Sequence, residues 1–153
     1  GSVYMNEIRR KLLHSIGIEI DDSKYTELNW YFISKRRVLS EKFIREFINE
    51  VYWDEISENQ ILSESFIREF QDLLNWREIS SNQNLSDDFL LEFQNKVDWY
   101  WYFAWRDANF PIMKKFLFKS NHKSPYTVKM SHLSELQQNE IKKLFELKHL
   151  FVF

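Results

Sequence analysis

One tryptophan recurs at a fixed step along the chain. The residues in this series are Trp30, Trp53, Trp76 and Trp99, each 23 positions after the last. Other columns keep the same step, with Leu or Val two positions before each Trp and aromatic or apolar residues further on. Repetition at this period is typical of a stacked array, because so short a unit cannot bury its apolar face alone. We therefore predict four copies of one repeat over residues 28–119.

The sequence pattern of each copy predicts two helices. In the first copy apolar residues fall at helical spacing from Phe43 to Val51, which indicates a helix of about three turns with one buried stripe. Its start is marked by Ser40, and the next two copies have Ser63 and Ser86 there, each followed by an acidic residue that suits the first turn of a helix. The segment that begins at each Trp predicts a shorter helix of one to two turns.

The scarcity of turn residues favours helices over a many-stranded sheet. Only two Gly and two Pro occur in 153 residues. Amphipathic segments before the first copy and after the last one suit capping elements. In the last one we expect a buried apolar stripe formed by Leu133, Leu136, Ile141, Leu144 and Leu147. We predict an all-α fold, an α-solenoid-like stack of short helix pairs with N- and C-terminal capping helices. Its parts in one domain of residues 1–153 are an N-terminal cap over 5–27, four repeats over 28–119, a loop over 120–132 and a C-terminal capping helix over 133–153.

The second copy carries a specific combination of residues. It has Trp53, then Ile56-Ser57, then Leu62-Ser63-Glu64, then Phe66-Ile67-Arg68-Glu69-Phe70. This pattern, over roughly residues 28–108, resembles the short tandem repeats of phage and giant-virus proteins. The resemblance implies a viral or mobile-element origin and an interaction role. The fourth copy departs from it at residues 100–111.

Acidic residues are concentrated in the middle of the chain. Residues 1–45 carry a net charge of +3, residues 46–105 a net charge of −10, and residues 106–153 a net charge of +5. Because the apolar stripes go to the core, the acids are expected outside, partly in rows, where they would suit a basic protein partner. The candidate partner-binding acids are Asp54, Glu55, Glu58, Glu78, Asp87 and Asp88. The alternative is a solvated face that pairs with the basic ends of the same chain.

The aromatic columns are interpreted as core, with one exception. In the fourth copy Trp101 stands where the second and third copies have Glu55 and Glu78, and Trp105 stands where they have Asn59 and Asn82. If Trp101 and Trp105 are exposed they would form an interface hot spot and join the partner-binding residues. If they are buried they would pack against the C-terminal cap.

No pattern indicates catalysis. The chain has no Cys, no Gly-rich phosphate loop and no nucleophile elbow. The four histidines have no metal-like spacing and are interpreted as lone surface residues: His14, His122, His132 and His149. We therefore expect no enzyme activity, catalytic residue, metal site or cofactor. No apolar run approaches 18 residues, so we also expect no membrane span and a cytoplasmic location, that of the host cell if the protein is viral.

The leading hypothesis is a non-enzymatic protein-interaction module, an inhibitor of a host defence or an immunity-type protein that uses its acidic repeat face. One alternative is a nucleic-acid binder that uses Lys35, Arg36, Arg37 and the C-terminal lysines, which is less favoured because no known binding motif accompanies them. The other is a structural homo-oligomer built through the aromatic fourth copy and the apolar C-terminal end.

Overall fold

The computed structural model describes residues 6–151, apart from the side chains of residues 22, 23, 26 and 148–151. Within this part of the chain every regular element is helical, which confirms the all-α prediction. The chain divides after Asn75 into two compact units. The expectation of a single domain stays a prediction.

In the first unit two helix pairs follow an N-terminal helix. The helices are α1 (Glu7–Ser15), α2 (Trp30–Arg36), α3 (Glu41–Glu46), α4 (Trp53–Asn59) and α5 (Glu64–Glu69). A 3₁₀ helix over Asp22–Glu27 precedes α2. The short helices α2 and α4 pack directly on each other, so the first two copies stack in the solenoid-like manner expected of the repeats.

In the second unit two more pairs are followed by a long helix. The helices are α6 (Trp76–Asn82), α7 (Asp87–Glu92), α8 (Trp99–Trp105), α9 (Phe110–Phe116) and α10 (Glu135–Phe151). Two 3₁₀ helices lie between α9 and α10, over Leu117–Lys119 and Pro125–Thr127. Here α6 packs on α8 and α10 packs on α9, so the third and fourth copies stack and the last helix covers the fourth.

The second helix of each pair begins at a side-chain cap, as the sequence predicts. In each case the cap oxygen accepts the backbone N–H three residues later, an arrangement that satisfies an otherwise unpaired donor of the first turn. The caps and their donors are Ser40 with Phe43 (3.0 Å), Ser63 with Phe66 (3.1 Å), Ser86 with Phe89 (3.1 Å) and Asn109 with Ile112 (2.8 Å).

The second helix is shorter than the apolar spacing suggests. A helix of about three turns is expected in the first copy, yet α3 ends at Glu46 and hydrogen-bonded turns follow. The N–H groups of Glu50 and Val51 both donate to the carbonyl of Phe47, at 3.0 Å. Because these turns continue to wind the chain, the apolar residues keep a common face after the regular helix has ended.

The repeated aromatic residues form the core of each copy, which confirms their interpretation. In the second copy the Trp53 ring centroid lies 6.4 Å from that of Phe66 and 5.3 Å from that of Phe70. The indole N–H of Trp53 donates to the carbonyl of Ile48 at 3.2 Å, so its one polar atom is satisfied. Phe66 is fully buried. Each copy thus packs one Trp ring against Phe rings of the segment that follows it, and Trp99 is the one that is buried.

Each of three buried Ser hydroxyls binds a backbone group further along the chain, within its own unit. Each hydroxyl accepts a hydrogen bond from the backbone N–H 18 residues later, which belongs to the residue directly before the next Trp of the repeat. The pairs are Ser34 with Tyr52 (3.0 Å), Ser57 with Asn75 (2.9 Å) and Ser80 with Asp98 (2.8 Å). The Ser after Ile in the repeat pattern is therefore a structural residue whose role the sequence analysis missed.

Gln60 makes a second bridge, between the first two copies. Its side chain is buried, and its amide oxygen accepts the N–H of Leu39 at 3.0 Å. Its amide nitrogen donates to the carbonyls of Ser34, at 2.8 Å, and Arg37, at 2.7 Å. One side chain therefore satisfies three backbone groups of the preceding copy.

The fourth copy replaces this Gln by Arg106 and keeps the bridge. The Arg106 Nε donates to the carbonyl of Ser80 at 2.6 Å, and its Nη2 donates to the carbonyl of Gln83. These carbonyls correspond, two copies on, to those that Gln60 binds. Burial lowers the pKa of Arg106 from its ordinary value.

The N-terminal segment is fixed to the first pair by Arg9. Its Nε lies 3.0 Å from the Glu46 carboxylate, its Nη1 donates to the Tyr25 hydroxyl at 2.8 Å, and its guanidinium lies over the Phe47 ring at 5.1 Å. The Tyr25 hydroxyl donates in turn to Glu50 at 3.1 Å. This cluster joins α1 and the 3₁₀ helix to the turns after α3, as a capping element requires. Met5, the first residue of the expected cap, lies outside the described residues.

The C-terminal capping helix forms, but its buried face differs from the predicted stripe. Ile141 and Phe145 are buried, whereas Leu136 is 79% exposed and Leu147 is half exposed. Ile141 and Phe145 lie four residues apart and share one face of α10, while Leu136 and Leu147 lie well around the helix from them. The stripe expected from Leu133, Leu136, Ile141, Leu144 and Leu147 is therefore wrong at two of its members.

Candidate interaction surfaces

The burial of one side of each short helix fixes which residues face outward. In α4, Ile56 and Ser57 are fully buried. The first, second, fifth and sixth residues after the Trp lie on the other side, and none of them is buried in any copy. We call these four positions the outer face of the helix. The side chains at these four positions differ in charge and polarity among α2, α4, α6 and α8.

The outer face of α4 carries three of the predicted acids. Asp54 and Glu58 are exposed, and Glu55 is half-buried. The Nδ2 of Asn75 donates to Asp54 at 3.1 Å, and the Nδ2 of Asn59 donates to Glu55 at 2.9 Å. These partners are neutral amides, so they orient the carboxylates without cancelling their charge. The structure thus brings Asp54, Glu55 and Glu58 together on one helix face.

The other three predicted acids lie in the second unit. Glu78 is on the outer face of α6, where it accepts a hydrogen bond from Asn82 at 3.0 Å. Asp87 and Asp88 are exposed in the first turn of α7, and Asp87 accepts a hydrogen bond from Asn109 at 3.2 Å. The rows of acids expected along the whole array stay a prediction.

Some other acids of the middle segment do pair with cations, as the alternative interpretation expects. Arg45 on α3 lies 2.9 Å from Glu69 on α5, and this hydrogen bond is the main cause of the raised pKa of Arg45. Both side chains are largely exposed, so the pair is worth at most about 1 kcal/mol. Intramolecular pairing therefore accounts for part of the acidic charge.

The fourth copy presents aromatic rings on its outer face. The Trp101 and Trp105 rings are parallel within 7°, with centroids 6.2 Å apart. The Arg77 guanidinium lies 3.9 Å from the centroid of the Trp101 ring. Trp105 is 63% exposed, so the alternative that it packs against the C-terminal cap is wrong. Arg77 was not among the predicted site residues, although it stands one copy before Trp101 in nearly the same column.

The interpretation of the histidines as surface residues is wrong for His122, which is buried. Its ring stacks on that of Tyr100 with centroids 4.0 Å apart, its Nε2 lies 2.8 Å from the Tyr100 carbonyl, and its Nδ1 lies 2.6 Å from the Thr127 hydroxyl. His122 therefore ties the predicted loop over 120–132 to α8. His14 is exposed beside Glu19, and the His149 side chain lies outside the described residues.

His132 also has a backbone partner, since its Nε2 lies 2.6 Å from the Ala108 carbonyl. Its Nδ1 lies 3.4 Å from Asp107, whose pKa is lowered mainly by a hydrogen bond from Lys129. Among the described residues no group of three or more His, Asp or Glu side chains could hold a metal ion. The expected absence of a catalytic residue, metal and cofactor stays a prediction.

The basic cluster proposed for nucleic acid is partly engaged within the chain. The Lys35 Nζ lies 3.3 Å from the Tyr31 hydroxyl and 5.5 Å from the centroid of its ring. Arg36 and Arg37 are exposed.

Among the described helices none has the length and apolar character needed to span a bilayer.

Comparisons with protein-family models, with curated proteins and with solved structures found no match for this chain. The resemblance to phage and giant-virus repeats stays a prediction.

Proposed function

We propose that this chain is a non-enzymatic protein-interaction module whose acidic helix faces bind a basic protein surface. The observation that carries the proposal is the outer face of α4, where Asp54, Glu55 and Glu58 lie together opposite a fully buried side. Because that buried side holds the helix in place, the three carboxylates are presented in a fixed arrangement. A fixed arrangement reduces the entropy lost when a partner binds.

The electrostatics of the middle segment support the same proposal. Residues 46–105 carry a net charge of −10, while the whole chain carries only −2. A concentrated negative region attracts a basic surface over a distance of about 10 Å at moderate salt and raises the rate of association. The amide partners of Asp54 and Glu55 leave this attraction in place.

The resemblance of the repeats to those of phage and giant-virus proteins favours a more specific role. In this role the protein acts in the host cytoplasm as an inhibitor of a host defence, or as an immunity-type protein. It would do so by covering the basic surface through which its target works. A basic, nucleic-acid-handling protein is the partner class that best fits such a surface.

The test compares two variants with the same change in net charge. Asp54→Lys, Glu55→Lys and Glu58→Lys reverse the α4 face, and the control reverses three exposed acids elsewhere, Glu27, Glu135 and Glu146. Each immobilised protein is exposed to lysates from a panel of low-GC bacteria, and retained proteins are quantified by mass spectrometry. We expect at least one basic protein to be retained by the wild type and the control and depleted about tenfold or more from the α4 variant.

Circular dichroism must show equal helix content in all variants, because Lys at the start of α4 opposes the helix dipole by about 0.3–1 kcal/mol per residue. If the Lys variant does not fold, the milder combination Asp54→Asn, Glu55→Gln and Glu58→Gln replaces it in the binding test. A retained set that is the same for the wild type and both folded α4 variants would refute the proposal.

A further inference from the structure

The outer face of α8 carries a stack of a cation and two indoles that is open at one end. The Arg77 guanidinium lies 3.9 Å from the Trp101 ring centroid, and Trp101 lies parallel to Trp105 at 6.2 Å. Trp101 is half-buried, but Trp105 is 63% exposed. The stack therefore ends in a large aromatic ring that faces water.

The preceding copy shows what the fourth copy has exchanged. On α6 the same two outer positions hold Glu78 and Asn82, which bond to each other at 3.0 Å. On α8 the corresponding positions, again four residues apart, hold Trp101 and Trp105, whose rings lie parallel to each other. The replacement removes a polar pair that water solvates well and leaves the Trp105 indole exposed, and Trp is enriched among the residues that dominate binding at protein interfaces. Solubility alone would favour the polar pair.

We propose that the open face of Trp105 binds an arginine side chain of a partner, which adds a second guanidinium to the stack of Arg77, Trp101 and Trp105. A planar guanidinium stacks on indole through cation–π attraction and stays weakly hydrated, and Arg77 already adopts this arrangement within the chain. Residues 76–105, from the start of α6 to the end of α8, carry a net charge of −3. The inference rests on the proposed function, because it names one anchor of the basic partner.

The test uses a defined probe in place of an unidentified protein. A blocked Gly-Arg-Gly-Arg-Gly peptide is titrated into the full chain, and the indole N–H signals are followed by NMR. The same peptide with citrulline in place of arginine keeps the shape and removes the charge. We expect the arginine peptide to shift the Trp105 signal, and the citrulline peptide to bind more weakly.

The variant Trp105→Ala should weaken binding of the arginine peptide about 2- to 5-fold, as expected for one exposed cation–π contact. Trp105→Phe should restore part of the loss. The matched control is Tyr126→Ala, which removes an aromatic ring that is 88% exposed elsewhere in the same unit and should leave the affinity unchanged. Trp105 makes no large buried contact, so Trp105→Ala is expected to fold.

Three results would overturn the inference. The first is equal affinity of the wild type and Trp105→Ala for the arginine peptide, and the second is equal affinity of the wild type for the arginine and citrulline peptides. The third is a concentration-dependent mass that Trp105→Ala abolishes, which would mean that a second copy of the chain covers the ring.

Failure of the proposed function is distinguishable from failure of this inference. If the α4 variant loses its retained proteins while Trp105→Ala keeps them and binds the peptide normally, only the inference about Trp105 is wrong. If Trp105 binds the arginine peptide but the α4 variant retains the same proteins as the wild type, only the proposed function is wrong.

Discussion

The Tyr25 phenol lies between a cation and a carboxylate. Its oxygen accepts a hydrogen bond from Arg9 at 2.8 Å and its hydroxyl donates to Glu50 at 3.1 Å. Burial, followed by the negative charge of Glu50, raises the pKa of Tyr25 to about 12. The neutral phenol is therefore favoured in the folded protein, since an ionised one could no longer donate to Glu50.

This raised pKa predicts a loss of stability at high pH. The phenol ionises near pH 10 in the unfolded chain and near pH 12 in the folded one, so between these values the unfolded state binds fewer protons and stability falls as pH rises. The contribution of this raised pKa to the free energy of unfolding is fully present below pH 10. We expect the melting temperature of the wild type to fall more steeply from pH 10 to pH 12 than that of Tyr25→Phe. The other tyrosines are common to both proteins, and parallel curves would contradict the assignment.

His122 shows the limit of what a single residue reveals in a sequence. Its partners are the Tyr100 carbonyl and ring and the Thr127 hydroxyl, and all of them depend on the path of the segment after α9. No spacing rule links positions 100, 122 and 127. His is intermediate among residue types in its tendency to be buried, so its type alone does not predict the buried position of His122.

At the scale of the helix pair, local signals predict well. The caps at Ser40 and Ser63 are correct because a cap depends on the side chain and the three residues after it. The end of α3 could not be predicted in the same way. Hydrogen-bonded turns after Glu46 preserve the apolar spacing, so the pattern alone does not distinguish them from a continued helix.

The Gln60 bridge leads to a prediction about stability. Gln60→Leu keeps similar volume but leaves the Leu39 N–H and the carbonyls of Ser34 and Arg37 without this partner in a buried site. Each buried unsatisfied group costs about 1–3 kcal/mol. We expect the free energy of unfolding, measured with urea, to fall by at least about 3 kcal/mol, the lower end of the cost for three such groups.

The matched control for this variant is Asn84→Ile. Asn84 is exposed, and the same column holds Ile61, which is 91% exposed, so an apolar side chain is already accepted there. We expect a change within about 0.5 kcal/mol. A similar small change for Gln60→Leu would show that water or rearranged backbone satisfies the freed groups.

For the whole molecule, the periodic step predicted the repeated pairs and the outward position of the acids, because both follow from one buried face per helix. The contacts between copies were not predicted. Arg77 meets Trp101 across 24 positions, and Arg45 meets Glu69 across the same distance in sequence. Such contacts depend on the offset between stacked helices, and the step alone does not give that offset.

The buried serines have a consequence for how the protein opens. Backbone N–H groups at the first turn of a helix usually meet water and exchange their protons quickly. Here the N–H groups of Tyr52 and Asp98 are held by Ser34 and Ser80, which belong to the copy before. Exchange at these two amides should therefore require neighbouring copies to part, and local fraying of a helix end should not be enough. Their protection factors would report the cohesion of the repeats and not that of any single helix.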